Sequence, residues 1–124
     1  MAKKKFKIKW LSESEEHDYP AAKSYLSLIY DESTANSYVE QLSHVPISEF
    51  KSKDIFRASG LSLLGISNDE VKKDQQKIES GQKLSPILLV RDTIHGKVII
   101  ADGYHRLCAI YSLDENAIIR CKIV

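Results

Sequence analysis

The residues that could do chemistry lie close together in one stretch, Ala101-Asp102-Gly103-Tyr104-His105-Arg106. An apolar run, Val98-Ile99-Ile100-Ala101, leads into it. After it, Leu107, Cys108, Ile110 and Tyr111 are spaced to line one side of a helix. A buried strand therefore runs into a tight turn and then a helix. Gly103 lets the backbone turn sharply and lets a ligand come close. The first N–H groups of a helix have no partner within it, and the helix dipole favours an anion there. His105 and Arg106 fall in that first turn. Arg106 offers a fixed fork of donors that suits phosphate or carboxylate. His105 can donate a hydrogen bond or move a proton near neutral pH. Two positive-capable side chains at a helix start oppose the dipole by about 0.3–1 kcal/mol per charge, a local cost expected where function overrides propensity. The turn is read as a site for an anionic group such as phosphate. Gly103, Tyr104, His105 and Arg106 are its binding residues, and Asp102 and His105 its candidate catalytic pair. Asp102 has three readings: a helix N-cap, a metal ligand, or a proton acceptor for a bound hydroxyl. Tyr104 is read either as a packing residue or as a pocket wall.

The elements that must position this turn can be followed along the chain. Lys5-Phe6-Lys7-Ile8-Lys9-Trp10 alternates strictly, with three lysines on one face. It is read as an edge strand or packed arm with a solvated lysine face, or as a phosphate contact. Residues 11–18 are polar and acidic, as in a loop. Pro20 suits a first helical turn, and Ala21, Ala22, Tyr25, Leu26, Leu28 and Ile29 supply an apolar face to about Tyr30. A second helix is expected from Thr34 to about Ser43, with Tyr38, Val39 and Leu42 inward. Residues 1–44 thus form an N-terminal strand and helical extension, of the size of an appendage.

Val45 to Phe50 alternates as a short strand, with Pro46 confining it to an edge or a strand start. Lys53 to Leu64 shows no clear period and is broken by Gly60. Ser67-Asn68-Asp69-Glu70 offers caps for a helix running to about Ser80, which Gly81 closes. Ile87 to Val90 is a buried strand, Ile94-His95-Gly96 a turn, and Ala117 to Val124 a closing strand. This order is an α/β fold around a small mixed sheet.

Composition narrows the function classes. A chain of 124 residues favours one domain, with enough core to fold without a disulfide or metal. A net charge of +1 argues against a protein that coats nucleic acid. Cys108 and Cys121 form no CxxC pair and are read as two buried thiols of a reducing compartment. No metal set is assigned. His17, His44 and His95 sit at no ligand-like spacing. The basic opening Met1-Ala2-Lys3-Lys4-Lys5 is followed by no apolar run, and no stretch approaches a membrane span. The expectation is a cytoplasmic protein with no membrane partner.

From Val45 to Val124 the sequence resembles the ParB/sulfiredoxin-like superfamily. The resemblance rests on Val45-Pro46-Ile47-Ser48-Glu49-Phe50, the helix ending at Gly81, Leu84-Ser85-Pro86-Ile87-Leu88-Leu89-Val90, Ile99 to Leu107 with its G-x-H-R turn, and the closing strand. It implies a ParB/sulfiredoxin-like domain over residues 45–124. Partition proteins of this kind hold nucleotide phosphates at the turn and carry a helix-turn-helix region beyond it. None is present up to Val124, so a partition protein is not expected. Sulfiredoxins place a nucleophilic Cys where Tyr104 stands, and Cys108 lies one helical turn further on. The spelling is closest to D-G-H-H-R members, which include small-molecule kinases.

That branch implies phosphate held by the Gly103–Arg106 backbone, His105 and Arg106. A carboxylate would activate a hydroxyl, with Asp102 the nearest candidate and Glu49 a second. It also implies ATP, ADP or CTP with Mg²⁺ as cofactor. Arg57 follows the opening strand, where such members bring a polar residue to the ligand, and is read as a further phosphate ligand or a surface residue. Lys83 could reach the pocket rim. Three functions follow: a nucleotide-binding domain with phosphotransfer or nucleotide hydrolysis, a non-catalytic binding or regulatory module of the same fold, and a ParB-like nuclease.

Overall fold

A computed structural model of the chain describes residues 7–124. Lys5 and Phe6 of the alternating segment lie outside the described residues. Its remainder keeps the expected alternation, with Lys7 and Lys9 exposed and Ile8 and Trp10 half-buried. Only Lys9–Trp10 forms a strand, β1. After the loop come helices α1 (Asp18–Leu26) and α2 (Glu32–His44), then strand β2 (Ser48–Lys51). Helices α3 (Ser52–Ser59) and α4 (Asp69–Glu79) follow, then the two-residue strand β3 (Lys83–Leu84). Strands β4 (Ile87–Asp92) and β5 (Lys97–Asp102), helix α5 (Tyr104–Leu113) and strand β6 (Ile118–Ile123) complete the chain.

The class is α/β, and the main sheet is mixed. Its order is β2-β6-β4-β5, with β6 and β4 parallel and the other two pairs antiparallel. β1 pairs in parallel with β3 as a separate small ribbon. Apolar alternation explains why the sheet carries a layer on each face. Ile87 and Leu89 of β4 join Ile100, Ile119 and Cys121 in a core closed by Ile55 and Phe56 of α3, Val71 and Ile78 of α4, and Leu107, Cys108 and Ile110 of α5. Leu88 and Val90 point the other way and join Ile99 and Ala101 under Ala22, Leu26, Ala35 and Leu42 of α1 and α2. The hairpin of α1 and α2 therefore covers this face of the sheet over β4 and β5.

Local signals set several boundaries. Asn68 caps α4, its side chain accepting from the N–H groups of Glu70 and Val71. Gly81 ends that helix at φ +79°, and Gln82 N donates to Lys77 O at 2.9 Å, a 6→1 closure. Asp31 caps α2 by accepting from Thr34 N at 2.7 Å.

Other expectations are corrected. α1 stops at Leu26, and only Ala22 and Leu26 of its apolar residues are buried, while Tyr25, Leu28 and Ile29 stay exposed. The sheet meets a narrow stripe of this helix, so the wider apolar set is not used. Tyr38 and Val39 are half-buried beside a buried Leu42. The second strand begins at Ser48, past Pro46, because its ladder is set by pairing Ser48 with Cys121. The stretch without a clear period contains α3, whose length of 8 residues gives helical periodicity little room to show.

Candidate functional site

β5 delivers Asp102 to the end of the sheet, and α5 begins two residues later. Gly103 makes the turn at φ +106°, a conformation open to glycine. A Cβ on it would lie 2.9 Å from both Arg106 Nη2 and Ile87 Cγ1. The close approach that requires glycine is thus made by the protein's own side chains. No side chain caps α5, so the N–H groups of its first turn remain open.

Asp102 is not the N-cap. Its carboxylate accepts from Arg106 Nη2 at 3.0 Å, because Arg106 folds back over the glycine instead of pointing along the helix. The same Nη2 lies 3.6 Å from Asp18 Oδ2, on the first residue of α1. The Asp18 side chain is 3% exposed and accepts from the Ser85 hydroxyl. Ser14 Oγ donates to Pro86 O at 3.0 Å, and Glu15 N donates to Ser85 Oγ at 3.0 Å. The loop before α1 is thereby laced onto the Ser85-Pro86 segment, and this lacing holds Asp18 against the turn.

Two carboxylates therefore compete for one guanidinium. Burial pushes the Asp102 carboxyl above its ordinary value, Arg106 pulls it back, and the adjacent Asp18 charge raises it again. Asp74 of α4, 8% exposed, is also pushed up by burial, and Lys77, Arg106 and His105 oppose the shift. Arg106 Nε is buried and has no hydrogen-bond partner. The guanidinium is thus held by one edge and has a donor to spare.

His105 is half-buried, with its ring centroid 5.7 Å from that of Tyr104. It makes no hydrogen bond or ion pair among the described residues. The Tyr104 hydroxyl donates to Ser62 O, and its ring packs at the edge of the core. Burial raises its phenol, as it raises the Cys108 thiol beside it. Cys108 and Cys121 are free, fully buried thiols, and burial pushes Cys121 up to about 12.

The remaining candidates do not join the turn. Arg57, 87% exposed on α3, has its ion pair with Asp54 at 3.8 Å on the same helix. Glu49 sits on β2, at the opposite edge of the sheet from β5, too far from the turn to be the activating carboxylate. Three strand spacings, about 14 Å, separate the two edges. Lys83 is exposed on β3 and lines an open cleft with Lys7, Lys9, Trp10 and Arg120. His17 lies 3.4 Å from Asp18, His44 beside Glu40 and His95 beside Asp92, all three largely exposed. Among the described residues, no group of three or more His, Cys, Asp or Glu side chains is placed to hold a metal ion. No helix among them is long and apolar enough to cross a membrane.

Sequence reasoning missed Asp18, Ser85 and Asp74. Asp18 looks like one more acid in a polar loop, and Asp74 like one more charge on a solvated helix. Only their burial distinguishes them, and burial has no local spelling. A comparison with family models, curated proteins and solved structures finds no match for the chain.

Proposed function

We propose that the chain is a phosphate- or nucleotide-binding domain of the ParB/sulfiredoxin type, with the anion held at the start of α5. One observation carries this reading. An uncapped helix N-terminus stands beside a half-buried guanidinium whose Nε has no partner. The helix start offers donors, and the guanidinium its positive charge, to an anion from a preorganised position.

In this reading the N–H groups of Tyr104, His105 and Arg106 meet phosphate oxygens. Arg106 keeps Nη2 on Asp102 and sets its positive charge beside the anion. His105 supplies a further donor. Asp102, raised by burial and by Asp18, accepts a proton from an acceptor hydroxyl. ATP, ADP or CTP would supply the phosphoryl group, and Mg²⁺ would travel on its phosphates. A second reading, a non-catalytic binding or regulatory module, is favoured by the ion pairs that already engage Arg106.

Thermal unfolding against ATP, ADP, CTP, GTP, pyrophosphate and phosphate, with and without Mg²⁺, tests the binding. A ligand at a hundred times its dissociation constant stabilises the fold by about 2.7 kcal/mol. One nucleotide should raise the melting temperature, and His105→Ala and Arg106→Lys should each reduce the rise measured from their own ligand-free state. If none of these anions produces a shift, the nucleotide reading fails. A shift without turnover favours the binding module.

A further inference from the structure

Charge is spread unevenly along the chain. Lys3, Lys4, Lys5, Lys7 and Lys9 precede the first acid, Glu13, and the rest of the chain holds more acids than cations. The described part of this segment, Lys7 to Ser12, lines one side of a cleft of about 680 Å³. Lys83 of β3 and Arg120 of β6 complete the lining, and no acid is among the lining residues. Lys9 and Lys83 are direct partners across the β1–β3 ribbon, so they project from the same face. Like charges directly opposite one another cost stability. Protecting an edge takes one row of lysines, so the second row needs another reason. Among the described residues, none of these four cations has an ion-pair partner. Arg120 stands opposite Glu49 in the β2–β6 ladder without pairing to it, and its Nε is buried with no hydrogen-bond partner.

We propose that this cleft binds a single-stranded nucleic-acid segment, with phosphates on the four cations and a base against Trp10. Four unopposed cations in one concavity call for several anionic groups, and their placement calls for regularly spaced ones. Lys7 and Lys9 lie two strand residues apart, about 6.8 Å, close to the phosphate repeat of an extended single strand. Residues 7–12 span about 20 Å, the length of about three nucleotides. Lys9 is held in place by the C-terminal end of α4, where the helix dipole favours a cation: its Nζ lies 3.6 Å from where a Cβ on Gly81 would stand. Trp10 is half-buried, packs at the edge of the core and also lines the cleft. A basic groove with an aromatic platform is how single strands are held without regard to sequence. A cleft of this volume admits one strand but not a duplex, and its concave shape does not fit a bilayer surface. The net charge of +1 argues against general coating of nucleic acid and is compatible with a short local track. The cleft shares no lining residue with the start of α5, so this inference is independent of the anion site there.

Trp10 is the chain's one tryptophan, so its emission reports on the cleft. The test is titration of the full chain with a single-stranded thymidylate octamer over a salt series. The octamer should quench Trp10. Four phosphate contacts should give log affinity against log salt a slope of about −2.8 or steeper. Lys7→Gln and Lys83→Gln, both at exposed positions, should each reduce the slope by about 0.7 and weaken binding about fivefold at about 0.1 M salt. An abasic octamer of equal charge should bind more weakly and leave the emission of Trp10 unchanged. The proposal is overturned if both lysine variants bind the octamer as tightly as the native chain, since any binding would then lie elsewhere. It is also overturned if the abasic octamer, thymidine triphosphate or a duplex of the same length quenches Trp10 at as low a concentration as the octamer. Absence of octamer binding overturns it too, including the case in which the chain binds vesicles of anionic lipid instead.

Discussion

Two cations, one buried and one half-buried, hold the α1–α2 layer in place, and they are built on opposite terms. Lys122 of β6 is 1% exposed, yet its ammonium is fully served. It pairs with Glu13 at 2.5 Å, donates to the Tyr19 hydroxyl at 3.1 Å and reaches Ser43 O at 3.5 Å. These bonds outweigh burial, so its pKa lies above the ordinary lysine value. Arg106 has two acids on one nitrogen and nothing on Nε. One of those acids is pushed toward its neutral form. Lys122 is a closed structural staple, whereas the Arg106 cluster is left with an unpaired Nε and a carboxyl that burial pushes upward. The proposed anion site rests on this imbalance.

Arg106→Met should show the largest effect. It leaves Asp18 buried without its cation, and the expected loss is about 3–5 kcal/mol by urea unfolding. Adding Asp18→Asn should restore much of it, because the two sites are coupled. If Arg106→Met costs no more than the matching change at Lys122, the contrast between the clusters collapses.

Gly103→Ala should come next, at about 2–4 kcal/mol from left-handed strain plus overpacking. The control is Gly60→Ala, at φ +67° with nothing within 4 Å of the added Cβ. It should cost about 1–2 kcal/mol from strain alone. Equal losses at the two glycines would remove the case for close packing around Arg106.

Lys122→Met should cost about 1–2 kcal/mol, for the lost hydrogen bonds. Its acid partner Glu13 is 62% exposed and can return to water. A larger loss would mean that the staple holds the layer more tightly than its geometry suggests.

The smallest effect is the sharpest in sign. Asp102 is raised in the folded chain, so folding favours its protonated form. Its favourable contribution is complete below the ordinary carboxyl value of about 3.9 and is lost as pH rises through the folded value. Asp102→Asn keeps the neutral form throughout. Its urea midpoint should therefore gain on the native chain as pH climbs from about 4 to 7. A gain in the opposite direction would make Asp102 a firm ion-pair partner, and the Arg106 cluster would resemble that of Lys122.

Much of the architecture is local and was legible in the residues. The cap at Asn68 and the closure at Gly81 are short-range hydrogen-bond chemistry. The Ile87–Val90 run announces a strand buried on both faces, and its four residues are at most 1% exposed. The Asp102–Arg106 turn is contiguous, so its types and spacing could be read directly. α1 shows the limit. Its sequence offers six apolar positions, and which of them meet the sheet depends on how the helix docks. The same holds for Arg57, whose type suits an anion but whose helix leaves it in solvent.

Sequence alone determined that a strand, a glycine turn and a helix would present His105 and Arg106 together. Those elements follow from apolar period and turn chemistry within a few residues. Only the tertiary structure decided that Asp18 would sit against Arg106 and that Lys122 would be buried and served. Each depends on segments distant along the chain, brought together because the α1–α2 hairpin must bury its apolar stripe on the free face of the sheet.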